Sequence, residues 1–390
     1  MRTAIRMARL GTETAFEVLA KARKLESQGK EIVHLEIGEP DFDTPWHIKE
    51  AAKKAIDEGF THYGPSAGLP EHRKAIAEYI SETRGINVDP DEVVVTPGAK
   101  PIIFFTILTW LRPGDEVITP SPGFPIYESM INFVGAKPVP LPLREENDFS
   151  IDPDEFKNLV TPLTKMVILN SPQNPCGSVV SKEALGKIAE VVGNDDEMLV
   201  ISDEVYSEIL YEGKHESFAA IPGMKEKTVL IDGYSKTFAM TGWRCGYGIM
   251  NKDIAQHVTR LQTNSNSCTA TFTQIACIEA LKGPMDDVRK MVAEFKKRRD
   301  VIVKGLNEIP GFSCKMPKGA FYVFPNIKKT GYSSGELETI MLNDAGVACL
   351  SGASFGAFGK GYLRFSYANS IENINKALDK IKKWATANVK

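Results

Sequence analysis

No stretch of this 390-residue chain is apolar for the roughly 18 residues that a membrane-crossing helix needs. Charge of one sign is also missing. With 47 Lys and Arg against 50 Asp and Glu, the formal net charge is −3, so no global field draws the chain to nucleic acid or to an anionic membrane. The six cysteines, at 176, 245, 268, 277, 314 and 349, form neither a metal-ligand spacing nor a disulfide framework. They fit a reducing, cytoplasmic setting, and no metal site is expected. The dinucleotide fingerprint G-x-G-x-x-G does not occur, and there are no internal repeats or low-complexity segments. What remains is ordinary globular composition, 43% hydrophobic and 25% charged, at a length that favours two domains. Met1 to Leu10 carries Arg2, Arg6 and Arg9 at helical spacing, faintly like a transit peptide. Acidic Glu13 and Glu17 follow at once, so an amphipathic arm lying on the protein or on a partner subunit is the better reading.

The centre of the chain alternates short apolar runs with helical segments. Val93 to Thr96, Val117 to Thr119, Val139 to Leu143, Met166 to Leu169, Met198 to Ile201 and Thr228 to Ile231 read as strands, with helices such as Ile102 to Leu111 and Lys182 to Val192 between them. Continuous apolar runs are expected of parallel strands covered on both faces. Beyond Asp286 the texture changes: a charged helix to Leu306, short strands, and a final helix from Ile371 to Ala387 give α+β character. The expected units are an arm with part of the small domain (1–45), a large domain (46–285) and a C-terminal small domain (286–390).

Polar loops follow the strands. Open α/β sheets bind ligands beyond the carboxyl ends of their strands, so Asn174, Asp203 and Lys236 should project into one crevice. A helix cap is the alternative for Asp203. Pro97-Gly98-Ala99-Lys100-Pro101 joins a strand to a helix through small residues, and the amides of Gly98, Ala99 and Lys100 would face an anion at the positive helix end. Phe124, fixed between prolines, either presents its ring to a flat ligand or fills the core. Tyr63 places a phenol in a Gly- and Pro-rich loop, while earlier in the chain Asp43 or Thr44 is expected to cap a helix from Trp46 to Glu58 with Pro45 in its first turn. Arg364 lies in Leu363-Arg364-Phe365-Ser366, turned away from its apolar neighbours; such a strand arginine usually faces solvent.

The stretch Asp232-Gly233-Tyr234-Ser235-Lys236-Thr237 through Trp243-Arg244 has the most chemical content. A primary amine condenses with an aldehyde only after losing its proton, and burial or a nearby cation such as Arg244 favours that loss. Arg244 could equally hold a phosphate through its planar fork.

Nearly the whole chain resembles the class I pyridoxal-phosphate (PLP) aminotransferases, in the branch with the bacterial and archaeal aspartate aminotransferases. Gly-Glu-Pro-Asp-Phe-Asp-Thr-Pro from Gly38, Asn174-Pro175-Cys176-Gly177, Asp203-Glu204-Val205-Tyr206, the lysine loop and Leu363-Arg364-Phe365-Ser366 occur in the family's order and approximate spacing. The resemblance implies an α/β fold of type I, a large domain with a mostly parallel seven-stranded sheet between helices and a smaller α+β domain. It implies that Lys236 carries the cofactor and that Asp203 pairs with its ring nitrogen. Asn174 and Tyr206 would bond the ring's phenolic oxygen, and Phe124 would stack on the ring. The phosphate would rest on the Gly98–Lys100 turn, chiefly the amides of Ala99 and Lys100, with Ser235 and Arg244. Tyr63 would join it from a neighbouring subunit, making a homodimer with shared sites. Arg364 would grip the substrate α-carboxylate near Gly38 and Asn174.

Three features depart from the family's commoner pattern. Cys176 stands where threonine is commoner, Phe124 stands at the ring-stacking position where relatives often have tryptophan or tyrosine, and Gly233 stands where some relatives have a phosphate-binding serine. The implied activity moves an amino group from an amino acid to a 2-oxo acid. A PLP β-lyase on the same fold and a non-enzymatic ligand sensor are the alternatives; the sensor would need a DNA-binding module, and no basic helix-turn-helix is seen. No second arginine is placed for a distal substrate carboxylate.

Overall fold

The computed structural model describes residues 2–389. Among these residues twelve strands are formed: β1 (Val33–His34), β2 (Val93–Thr96), β3 (Glu116–Ser121), β4 (Lys137–Pro142), β5 (Thr164–Asn170), β6 (Leu199–Asp203), β7 (Thr228–Gly233), β8 (Gly246–Ile249), β9 (Tyr322–Val323), β10 (Val347–Ala348), β11 (Leu350–Ser351) and β12 (Leu363–Ser366). The apolar runs of the centre assemble one seven-stranded sheet in the order β2-β8-β7-β6-β5-β3-β4. All neighbours pair in parallel except β8, which runs antiparallel to both β2 and β7. Alternate side chains of one strand reach opposite faces, and both faces are apolar. Met166 and Ile168 of β5 pack with the helices Lys100–Trp110 and Pro125–Val134, while Val167 and Leu169 pack with Lys182–Gly193. Two covered faces explain why these strands read as unbroken hydrophobic runs.

The edge strand β4 carries prolines at 138, 140 and 142. The amides flanking them, of Lys137 and Leu143, bond back to Asp115 and Ser121. The prolines therefore fall on the open side, where the missing N–H costs no ladder bond and the edge is closed to further pairing.

Val33, Leu35 and residues from Met291 to Ala385 form a second core. It holds the parallel pair β1–β10 and the antiparallel trio β11-β12-β9. The helix Asp286–Asn307 joins the two cores: Val288 packs with the large sheet's cluster, and Met291, Phe295 and Leu306 with the second. The N-terminal arm lies on its own chain, where Arg9 donates to the carbonyl of Phe133 and the Gly11 amide to Ser129 Oγ (2.9 Å). Ile5 and Met7 stay exposed. Among the described residues no helix is long and apolar enough to cross a membrane.

Several local expectations change. The helix Trp46–Asp57 has Pro45 at its cap position and no side-chain cap; Thr44 Oγ1 instead donates to the Ala239 carbonyl (2.8 Å). This bond ties the Gly38 loop to the lysine loop. Residues 312–316 contribute a single bridge, from Ser313 to Asn326, to the short-strand region beyond Asp286. Only one side of Phe124 is loop: Pro125–Val134 is a helix that starts at the proline, with Phe124 at its cap position.

Candidate active site

The carboxyl ends of the parallel strands open into a cavity of about 870 Å³. Because β8 runs antiparallel, its amino end, and Arg244 just before it, reach the same edge. Ala99, Lys100, Phe124, Asn174, Asp203 and Tyr206 line the cavity. So do Ser235, Lys236 and Arg244 of the lysine loop, and Gly38 and Arg364 from the second core. Tyr63 does not line it; the phenol is 89% exposed on the surface.

Lys236 sits in the short helix Tyr234–Thr237, directly after β7. Its ammonium donates to the Gly38 carbonyl across the two cores. Burial, helped by Lys100 and Arg364 and opposed by Glu39, takes its pKa down to about 8. At pH 7 roughly a tenth of Lys236 is then free amine, against well under a thousandth of an exposed lysine. That difference turns a solvated charge into a usable nucleophile and base.

Asp203 ends β6 and is 4% exposed. It caps no helix of the described chain. Its Oδ2 accepts from the Tyr127 hydroxyl (2.6 Å), and Oδ1 from the Val205 amide (3.3 Å). Burial pushes its pKa up to about 6 against those two bonds. At pH 7 it is still carboxylate by roughly ten to one, a buried anion aimed into the cavity. Asn170 stitches the strand ends together: Nδ2 donates to the Asp203 carbonyl (3.1 Å), and Oδ1 accepts from the Asn174 amide (2.9 Å).

The turn after β2 differs in one respect from its expected role. The Gly98 amide bonds Thr96 O at 2.7 Å and is not free for an anion. The amides of Ala99 and Lys100 take no acceptor among the described residues, and they head the helix Lys100–Trp110. Gly98, at φ +88°, serves by being small: a Cβ there would overlap the Arg244 guanidinium. Arg244 itself takes φ +54°, unusual for a non-glycine residue, and Nη1 donates to the Thr241 carbonyl (2.7 Å).

Arg364 contradicts the solvent-facing reading of a strand arginine, since it is 4% exposed. Nη2 donates to the Glu36 carbonyl and Nη1 to Asn174 Oδ1 (3.4 Å), while the buried Nε has no partner. The guanidinium lies 4.6 Å from the Tyr322 ring centroid. Burial lowers its pKa, so a carboxylate entering here meets a poorly compensated cation.

Tyr127 and Tyr322 were not legible as site residues. Tyr127 sits on the helix hidden behind prolines. Tyr322 bonds Tyr206 hydroxyl to hydroxyl (2.7 Å) and leaves no room for a side chain at Gly38. Behind the site, Arg84 joins two strand ends, donating to Glu204 (2.9 Å) beside Asp203 and to Asp232 (2.8 Å) ahead of Lys236. His72, Cys245 and Cys277, distant in sequence, bring ligating atoms within 4.8 Å of one another in the core. The His72 ring nitrogens already engage Gln274 and Tyr234, and burial takes its pKa down to about 4, so this is a neutral packed cluster.

Comparison with known proteins agrees with this geometry. Residues 30–381 match the family of aminotransferase class I and II. An aspartate aminotransferase of Pyrococcus abyssi is 44% identical over 91% of this chain and 92% of its own length. An aromatic-amino-acid aminotransferase of Thermococcus litoralis is 42% identical over 92% of each. The solved aspartate aminotransferase from Thermus thermophilus with maleate superposes with a TM-score of 0.94 at 37% identity, covering 98% of this chain and all of that one. Sequence, fold and cavity agree: the chain belongs to the class I and II aminotransferases and is an enzyme of amino-group transfer.

Proposed function

We propose that the chain is a PLP-dependent aminotransferase that passes the α-amino group of an L-amino acid to a 2-oxo acid in two half-reactions. The residues present fit that cofactor. Two amides without acceptors at a helix N-terminus, flanked by Ser235 and Arg244, make a cup for a phosphate. A buried carboxylate, Asp203, suits a protonated ring nitrogen, and Phe124 offers a ring face beside them. When bound, PLP supplies an aldehyde carbon and an electron-accepting ring that acidifies the α-proton of an attached amino acid.

The chain's own groups do the rest. Lys236 would hold the cofactor through its aldehyde carbon, and its Nζ, when free, would take the substrate's α-proton. Asp203 would keep negative charge beside the ring nitrogen, and Asn174 and Tyr206 would bond the ring hydroxyl. Arg364 orients the α-carboxylate through a bidentate pair, near Gly38 and Asn174. A second copy of the chain completes the site in a homodimer. Tyr63, exposed and away from its own cavity, supplies the partner's phosphate contact. The six free cysteines are compatible with a reducing cytoplasm.

One observation carries the reading: a half-buried lysine of lowered pKa, a buried carboxylate and a buried arginine with an unpaired nitrogen share one cavity. The test uses the PLP-loaded protein and a panel of L-amino acids without acceptor, aspartate and aromatic donors included. One equivalent of 2-oxo acid per site should form, then nothing more until 2-oxoglutarate or pyruvate is added. Continued release of ammonia and pyruvate without an acceptor contradicts the proposal and identifies a lyase.

A further inference from the structure

The cavity holds one charge pair that the proposed reaction leaves unused. Glu13, at the cap position of the helix Thr14–Ser27, lies against the Lys100 ammonium. Both side chains line the cavity and are only partly exposed, Glu13 25% and Lys100 42%. The Lys100 ammonium stands 5.3 Å from the centroid of the Phe124 ring. Glu13 also ranks among the charges acting on Lys236 and Arg364. It is thus a carboxylate of the chain itself that lines the cavity beside these cations.

The other cations near the reacting centre have tasks under the proposed function: Lys236 takes the cofactor, Arg244 its phosphate and Arg364 the α-carboxylate. Only the backbone of Lys100 is used there, which leaves its ammonium for Glu13. His34 is engaged by Glu36 and Glu26. Arg23, further along the same helix as Glu13, is the other basic residue lining the cavity.

We propose that Glu13 is a specificity-determining residue, an internal carboxylate that occupies Lys100 and must be displaced by any substrate bearing a second carboxylate. A neutral or aromatic side chain has no need to break the pair. The free site therefore favours uncharged donors over acidic ones by the cost of displacing Glu13. Because the pair is partly exposed, that cost is a small factor and not an absolute bar. This inference rests on the aminotransferase reading, and its failure is distinguishable from the failure of that reading.

The experiment compares PLP-loaded wild type with Glu13→Gln, which keeps the size and removes the charge. The measured quantity is the ratio of kcat/KM for aspartate to that for phenylalanine. The ratio should rise roughly three- to tenfold in Glu13→Gln. In a Lys100→Met background the same substitution should leave the ratio where it was, since no cation remains to be released. A second readout needs no turnover. Succinate, a dicarboxylate without an amine, should bind Glu13→Gln more tightly by a similar factor, while butyrate should bind both proteins alike. An unmoved ratio with unmoved succinate affinity, or equal gains for butyrate and succinate, overturns the role of Glu13 while transamination stands. Absence of transamination by wild type with every donor overturns the reading beneath it.

Discussion

At the scale of single residues, the site works by burying charges that water would otherwise level. Lys236 is the clearest case. Its pKa of about 8 is held down mainly by burial, so its free-amine fraction saturates over two pH units below that of an exposed lysine. Capture of PLP by the cofactor-free protein should climb with pH and flatten above about 8. A rate still rising tenfold per unit between pH 9 and 10 would mean that the reactive lysine is solvated. Asp203 poses the opposite problem, since burial favours its neutral form while Tyr127 and the Val205 amide oppose this. Asp203→Asn keeps shape and loses the anion. It should retain cofactor while slowing α-proton removal in a single turnover by about 10²–10³-fold, the usual weight of one preorganised electrostatic contact. Equal single-turnover rates in mutant and wild type would remove Asp203 from the mechanism.

At the scale of elements, the site depends on how strand ends are held in register. Arg84, near the end of the helix Pro70–Arg84, bonds Glu204, Ser207 and Asp232, and His215 and Ser217 complete the shell around Glu204. Burial alone would raise the Glu204 pKa, but His215 and Arg84 outweigh it and take it down to about 2. Arg84→Ala leaves buried Asp232 without its cation and Glu204 with His215 alone, which should destabilise the fold by about 3–5 kcal/mol in denaturant titration. A loss below about 0.5 kcal/mol would mean that the strand ends are held by packing alone. The same strands show what the sequence reveals and what it hides. Six of the seven in the large sheet were legible, five of them because they are buried on both faces and read as continuous apolar runs, while the edge strand β4 is partly exposed. The seventh, β8, is Gly-Tyr-Gly-Ile, and its two glycines erase the β-branched signal. Those glycines are required by closeness: a Cβ at Gly246 would overlap the Ala99 backbone. The motif residues around Asn174, Asp203, Lys236 and Arg364 were legible as a set, through order and spacing. Tyr127, Tyr322 and Glu13 were not, because their partners are set by tertiary packing that no local pattern encodes.

At the scale of the whole molecule, the cavity draws on both cores: Lys236 and Asp203 from the large sheet, Gly38 and Arg364 from the smaller assembly. Dimerisation is the remaining proposal at this scale. If Tyr63 acts across a two-fold interface, mixing Tyr63→Phe with Lys236→Ala subunits should place both lesions in one site and leave the other whole. Activity with wild-type cofactor affinity should then appear in the mixture. A monomer in sedimentation, or mixtures with no such site, would refute sharing. The central claim is that Lys236 is the residue that takes the cofactor, and one measurement addresses it directly. The protein is incubated with PLP, reduced with borohydride, digested and mapped by mass spectrometry. The pyridoxyl-phosphate mass should lie on the peptide containing Lys236 and no other, and Lys236→Ala should take up none and lose nearly all transamination. The mass on a different lysine, or near wild-type turnover by Lys236→Ala, would contradict the account.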